Sequence, residues 1–358
     1  MKQIHCDVLI LGGGPAGTLA ATRLSKSGMD VIQVVKGPGN QVRPYEVLAP
    51  ATRQLLFANG LSEPVQGTSD CRGVLSMWEG ATPHFYDYRF MTAQTGLTID
   101  RDSFHQSLAI TAKEAGVRVI SMDNDRPLLP DIENDKCSVI TVGQCTEITF
   151  RFVIDARGRQ SNPIGAGHIK REYHSELIAL STPFVLQEQW HDCLIVEAAE
   201  HGWWYIPPTV GKHSQLVFLT DMDILPKTAD NKKEWLRNSY RQSLLLPSLT
   251  DQLPAFDQIK GTDARFSRLS CPRHHNCMAV GDSAIALDPL SGTGTWTALS
   301  SAEMAVSVIL NNGEAEVYNS WCQQVFEHEQ QMYFQTYASA AHRFREAIFW
   351  KRRLDGKH

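Results

Sequence analysis

Apolar residues fall in short runs along the 358-residue chain, and their placement sets the expected elements. The run Val8-Leu9-Ile10-Leu11 carries no polar interruption, the pattern of a parallel strand buried on both faces. A helix-forming stretch over 18–26 follows, then Gly28 and a second apolar run over 31–35, which together predict a βαβ unit. From 37 to 96 the pattern dissolves among Pro38, Pro44, Pro50 and Pro83 and reads as loop-rich. Residues 98–100 lead into Arg101, and a helix is expected over 103–114, closed by Gly116. Strands are expected over 117–121, 137–142 and 147–154, with a polar turn over 130–135.

The texture changes over about 172–266, where alternating strands such as 177–186 and 215–220 accompany a polar-amphipathic helix over 232–245. This predicts an antiparallel sheet inserted into the first domain. The buried-strand style returns over 276–280 and ends in Gly281-Asp282, followed by a long helix over 295–311 and a helical tail. The expected division is a discontinuous nucleotide-binding α/β domain over 1–170 and 267–358, with a substrate domain over 171–266.

The first apolar run enters three glycines at G-x-G-x-x-G spacing. Gly12 permits the tight turn, Gly14 lets a pyrophosphate approach the backbone, and Gly17 lets the next helix pack closely. Pro15 and Ala16 occupy the first turn of that helix, whose positive end would receive the phosphates. One departure stands out: the second strand ends in Val35-Lys36, where an acidic side chain usually meets the ribose hydroxyls. Two later strand ends add to the set. Gly281-Asp282 supplies a carboxylate suited to a sugar-alcohol chain, and Asp288-Pro289-Leu290-Ser291-Gly292-Thr293-Gly294 leads backbone N–H groups into a helix. A flavin fits all three, with its pyrophosphate at the first, its ribityl chain at the second and its pyrimidine edge at the third. Reduced flavin carries negative charge near N1 and the C2 oxygen, which a helix N-terminus stabilises.

Composition narrows the class further. Hydrophobic residues make up 42% and charged residues 20%, as in an ordinary globular protein, and the formal charge of −5 argues against a nucleic-acid binder. No apolar run approaches the roughly 20 residues of a membrane span. The eight cysteines include no C-x-x-C, which suits reduced thiols in a cytoplasmic protein. Cys271-Pro-Arg-His274-His275-Asn-Cys277 crowds its ligands along one segment, so no metal is expected.

Gly12-x-Gly14-x-x-Gly17, Asp155-Ala156-x-Gly158-Arg159, and Gly281-Asp282 with Asp288-Pro289-x-Ser291-Gly292-x-Gly294 resemble the fingerprints of FAD monooxygenases of the para-hydroxybenzoate hydroxylase fold. Arg101, opening a helix with Phe104 and Leu108, is similar to that family's arginine near the FAD. The resemblance implies a Rossmann-like FAD-binding domain with an inserted antiparallel β-sheet substrate domain. It implies FAD contacts from Gly12, Gly14, Pro15, Ala16, Gly17, Arg101, Asp155, Gly281, Asp282, Pro289, Gly292 and Gly294. Glu46 with Pro50, Gly202-Trp203-Trp204-Tyr205-Ile206-Pro207, and the tail Phe349-Trp350-Lys351-Arg352-Arg353 resemble the tryptophan-halogenase-like branch. Halogenation itself is disfavoured. No lysine occurs between Lys36 and Lys113, and the family's spaced tryptophans are adjacent here.

Within that branch the chain resembles maturation flavoproteins that oxygenate a tryptophan inside a partner protein on the way to cysteine tryptophylquinone. The resemblance implies a protein substrate, an oxidase precursor, hydroxylated through a C4a-hydroperoxyflavin, with neither nucleic acid nor membrane as partner. No second G-x-G-x-x-G serves a nicotinamide, so NAD(P)H and other external reductants stay open as the electron donor. A geranylgeranyl-reductase-type enzyme and a non-catalytic flavin-binding maturation partner are the alternatives.

Individual residues carry paired readings. Glu46 and Arg43 are the catalytic candidates beside the flavin, or they pair with each other. Trp203, Trp204 and Tyr205 line an aromatic substrate pocket, or they fill the core. Asp155 reaches the flavin or stabilises its glycine turn, and Pro289 shapes the oxygen pocket or starts a helix. The basic tail over 342–353 forms a solvated face over an apolar stripe, or a docking surface for an acidic partner.

Overall fold

A computed structural model describes residues 2–36, 45–61, 67–122, 130–141, 144–159, 161–164, 169–210 and 213–355. The first strand, Lys2–Leu11, begins exposed and ends with Val8 to Leu11 fully buried. It runs parallel to Val31–Lys36 on one side and to Gln144–Asp155 on the other. Arg118–Met122 and Cys277–Ala279 extend this parallel core, and antiparallel strands Lys136–Thr141 and Arg273–His274 finish a seven-stranded sheet. Helix Pro15–Lys26 covers the sheet and packs against helices Arg101–Glu114 and Gly294–Leu310.

Register decides where the site falls. Leu11 lies opposite Asp155, and Asp155 lies opposite Ala279. The chain therefore leaves these adjacent strands at Gly12, Ala156 and Val280, and the three motifs emerge side by side at the carboxyl edge. That edge is where ligands bind in open parallel sheets.

The second large sheet also has seven strands, in the order Lys260–Asp263, Leu177–Val185, His213–Asp221, Gly202–Ile206, Cys193–Ala199, Gly73–Met77 and His84–Asp87. Its pairs are antiparallel except for Cys193–Ala199 against Gly73–Met77. Two strands thus come from outside 171–266. The stretch expected to be loop-rich holds strands Glu46–Leu48, Thr68–Cys71, Gly73–Met77, His84–Asp87 and Gly96–Ile99, with helices Pro50–Ala58 and Tyr88–Thr92. Pro50 opens its helix at the first position, where its missing N–H costs nothing. The strands are three to five residues long, too short for a period to show, and Gly73–Met77 is held on one side by the distant Cys193–Ala199, so local pattern gives little sign of them.

The tail forms helices Ala315–Ala341 and Ile348–Asp355. Two of its arginines are not a free basic face. Arg353 is 1% exposed and grips Asp221 with both Nη atoms, at 2.8 and 3.1 Å, and Arg352 binds Asp223 and Asp221. Arg343 donates to the carbonyls of Met77 and Trp78. These three cations fasten the tail to the second sheet, which corrects both readings of the basic tail for these positions. Around them Trp78 meets Trp203, Tyr337 and Trp350 edge-on at centroid distances of 5.6–6.0 Å, a geometry that aromatic quadrupoles favour.

Candidate functional site

The first glycine turn is built for close approach. Gly12 has φ +116°, and a Cβ there would stand 2.2 Å from the Ala156 carbonyl oxygen of the neighbouring strand end. A Cβ at Gly17 would meet the Gly12 carbonyl at 2.3 Å, so the helix is drawn against its own turn. Gly14 differs: among the described residues the nearest atom to its Cβ position is His105 Cε1 at 4.0 Å, which leaves the backbone open to a ligand. Gly13 has a role the sequence did not reveal. Val35 Cγ1 lies 2.7 Å from its would-be Cβ, so the residue replacing the usual acid leans on the loop instead.

Gly14 caps helix Pro15–Lys26 without any side-chain hydrogen bond, leaving its first N–H groups for a ligand. Helix Gly294–Leu310 also begins without a side-chain cap, and among the described residues neither Gly292 nor Gly294 has an atom within 4 Å of its Cβ position. Gly281, at φ +58°, wedges between Ala16 and Ala298 and brings these two helix starts together. Asp282 follows at the strand end. Its side chain is 36% exposed although it lies deep in the cleft, with Arg159 Nε 3.6 Å from its carboxylate. Burial pushes the Asp282 carboxyl up, against the pull of Arg159 and Arg101.

Two carboxylates bracket the start of helix Gly294–Leu310. Glu46 accepts from the Thr295 hydroxyl and pairs with Arg101 Nε at 3.3 Å, while Thr293 donates to Glu329 at 3.2 Å. Arg101 opens its own helix, which Asp100 caps by accepting from Ser103 N. Glu46 and Arg101 therefore meet at the proposed flavin loop, whereas Arg43 lies outside the described residues. Glu46→Ala is expected to weaken FAD retention several-fold, measured by equilibrium dialysis. It should leave the melting temperature nearly unchanged, because partly exposed pairs contribute about 1 kcal/mol or less.

Asp155 is engaged within its own turn. It accepts from Arg157 Nε at 2.8 Å and Nη2 at 2.9 Å, and Ser283 bridges it to Gly158 N. Pro289 starts the short turn Pro289–Ser291, with Asp288 as its cap.

Trp203 and Trp204 are buried on opposite faces of their strand. Trp203 enters the Trp78 cluster, and Trp204 packs on Phe218 at a centroid distance of 4.4 Å. Tyr205 is partly exposed on the Trp203 face, and burial together with the Glu46 carboxylate raises its pKa. Val74, Ser76 and Leu194 are also partly exposed on that inner face, in register with one another or with Val196, which pairs with Tyr205. With Tyr205 on the fourth of the seven strands, Leu194 on the fifth and Val74 on the sixth, these positions leave an accessible, largely apolar strip that runs from the middle of the sheet toward its edge, with the Glu46 carboxylate acting on its Tyr205 end. A groove of about 420 Å³ lies elsewhere, between strand Ser267–Leu269 and helix Ala315–Ala341, and its lining includes Pro272 but no residue of the three flavin motifs.

Open backbone at Gly14, Gly292 and Gly294, two uncapped helix starts and a strand-end carboxylate together fit a flavin dinucleotide. The class is thus a flavoprotein with a Rossmann-like nucleotide domain and a second sheet facing its carboxyl edge. The chain belongs to the FAD binding domain family, whose model matches residues 5–319, and its cofactor is FAD. It is an FAD-dependent oxidoreductase. It is 23% identical to a putative FAD-dependent oxidoreductase, LodB, from Marinomonas mediterranea, over 97% of this chain and 96% of that protein. It is 24% identical to a tryptophan 2-halogenase from Chondromyces crocatus, over 96% of this chain and 69% of that protein. Among solved structures it is similar to the peptidyl tryptophan dihydroxylase QhpG, essential for tryptophylquinone cofactor biogenesis. That likeness has a TM-score of 0.81 at 22% identity and covers 98% of this chain and 79% of that one. Among the described residues no helix is long and apolar enough to cross a membrane.

Proposed function

We propose that the protein is a monooxygenase that hydroxylates a tryptophan within a partner protein during tryptophylquinone cofactor biogenesis. The observation that carries this reading is the accessible apolar strip of Val74, Leu194 and Tyr205, whose Tyr205 end lies within the electrostatic reach of Glu46 and Arg101. An indole is flat and apolar with one N–H donor, and such a strip offers it contact area while shedding water. Bound FAD supplies electron transfer and oxygen activation. Gly14, in the turn that Gly12 and Gly17 shape, would admit the pyrophosphate, and Asp282 would accept from the ribityl hydroxyls. Glu46, Arg101 and Thr295 fix the loop that would meet the pyrimidine edge. The second sheet orients the indole and excludes water, so the chain contributes chiefly by positioning. Halogenation needs a lysine along the path of the activated halogen, and none stands between Lys36 and Lys113.

The test is anaerobic reduction of the FAD-loaded protein followed by mixing with oxygenated buffer, with and without tryptophan-containing precursor proteins. The expected result is a transient absorbance before reoxidation and a mass gain of oxygen located on one tryptophan of the precursor. Slow reoxidation without a transient, with every precursor unmodified, would move the assignment to a reductase or a non-catalytic maturation partner. The same experiment run with NADH and NADPH in place of chemical reduction identifies the donor.

A further inference from the structure

Trp203, Tyr337 and Asp288 join three parts of the molecule through one line of buried hydrogen bonds. Trp203 Nε1–H, from the second sheet, donates to Tyr337 Oη at 2.9 Å, and Tyr337 Oη–H donates to the Asp288 carboxylate at 3.2 Å. Asp288 also accepts from Leu290 N at 2.9 Å, capping the turn that leads to Gly292 and Gly294. An indole can only donate and a phenol has one proton, so the direction is fixed: Tyr337 gives its proton to Asp288. All three side chains are buried, so none of these groups exchanges its partner for water at low cost.

We propose that Asp288 and Tyr337 are positioning residues that set the reduction potential of the bound flavin, through the charge that Asp288 carries behind the 288–294 loop. The inference rests on reading that loop as the seat of the pyrimidine edge. An ionised Asp288 places negative charge behind the N–H groups that would stabilise reduced flavin, and a neutral Asp288 does not. Besides Tyr337 and Leu290 N–H, the groups facing Asp288 are Arg353 from the last helix, Arg159 from the turn after Gln144–Asp155, and Tyr333 one helical turn before Tyr337. Arg353 stacks over the Tyr337 ring, 4.8 Å from its centroid. Burial raises the Asp288 carboxyl to about 6 against the pull of Leu290 N–H, Arg353 and Tyr337, so its charge changes within an experimentally accessible range.

The sign follows. Below about pH 6 Asp288 is neutral and leaves the potential alone; above it the carboxylate opposes reduction. The potential of the native protein should therefore fall more steeply with pH over an interval that opens near pH 6 and closes where Asp288 beside reduced flavin has also lost its proton. Asp288→Asn keeps a good capping side chain but no titrating charge. Its potential should match the native value at low pH and lie above it at high pH. Tyr337→Phe removes a donor that favours the anion, so the break should move to higher pH.

Spectroelectrochemical titration of the FAD-loaded protein at a series of pH values reads all three curves. Convergence at low pH with divergence above the break supports the inference, as does the upward move in Tyr337→Phe. Parallel native and Asp288→Asn curves overturn it, even if Tyr337→Phe fails to fold. Gly294→Val separates the two levels. If it leaves flavin affinity and spectrum unchanged, the loop is not the flavin seat and both readings fall. If it weakens binding while the curves stay parallel, only the role of Asp288 falls.

Discussion

Gly12→Ala is expected to abolish FAD binding and to destabilise the fold severely, by about 4 kcal/mol or more. Two separate costs add. The residue sits at φ +116°, where an L side chain is strained, and the new Cβ would stand 2.2 Å from the Ala156 carbonyl oxygen. Neither neighbour can retreat. Gly12 N donates to the Val34 carbonyl, and Ala156 N donates to the Leu11 carbonyl, both at 2.8 Å, so both backbones are pinned inside the parallel sheet. Gly14→Ala is the matched control. Its Cβ meets no atom nearer than 4.0 Å, so the protein should fold with a near-native melting temperature. The added methyl instead occupies space needed by the pyrophosphate. Overpacking of about 1–3 kcal/mol corresponds to a loss of affinity of roughly five- to 150-fold. Thermal melts and flavin titrations on the two variants separate the glycine that shapes the turn from the glycine that admits the ligand. Equal loss of stability in both would mean that the turn is merely a tight turn.

That contrast marks how far the sequence could be read. Val8 to Leu11 and the glycines after it were legible because a strand buried on both faces must be continuously apolar, and a ligand-admitting turn must lack side chains. The sequence linked Gly12 with Gly281 through the one flavin that would fit both motifs, and Asp155 through family resemblance; the parallel register that sets the three side by side came from the fold. Strand Gly73–Met77 was not legible as part of the second sheet: it pairs with the nearby His84–Asp87, but its other partner, Cys193–Ala199, lies more than a hundred residues away and no local signal announces it. Tyr337 was equally hidden, as one aromatic among several on a long helix, and only the fold brings it to Asp288. The constraint on Gly13 is invisible in sequence because it comes from Val35, a side chain on the next strand. Arg352 and Arg353 looked like solvated charges because Asp221 and Asp223 lie far upstream in sequence.

Arg353→Met is expected to destabilise the protein by about 3–5 kcal/mol, the usual result of removing one member of a buried ion pair. The guanidinium makes two bonds to Asp221 and a third to the Phe349 carbonyl at 2.8 Å, and its face lies 3.5 Å from the Phe349 ring centroid. Removing it leaves the Asp221 carboxylate, with only 3% of its side chain exposed, beside the single contact from Arg352 at 3.2 Å. That remaining cation places the effect toward the lower end of the range. Asp221→Asn in the Arg353→Met background should recover part of the loss, because the second substitution removes the stranded charge. Denaturant unfolding of the four proteins gives the coupling. A single-variant cost under about 1 kcal/mol would class the pair with surface ion pairs, against its burial. The pair also supports the site at one remove. Arg353 stacks on Tyr337, whose hydroxyl holds Asp288 beneath the flavin loop, so loosening the last helix should weaken FAD retention although no residue of that helix belongs to a flavin motif. A stability loss with unchanged flavin affinity would show that the tail braces the second sheet alone.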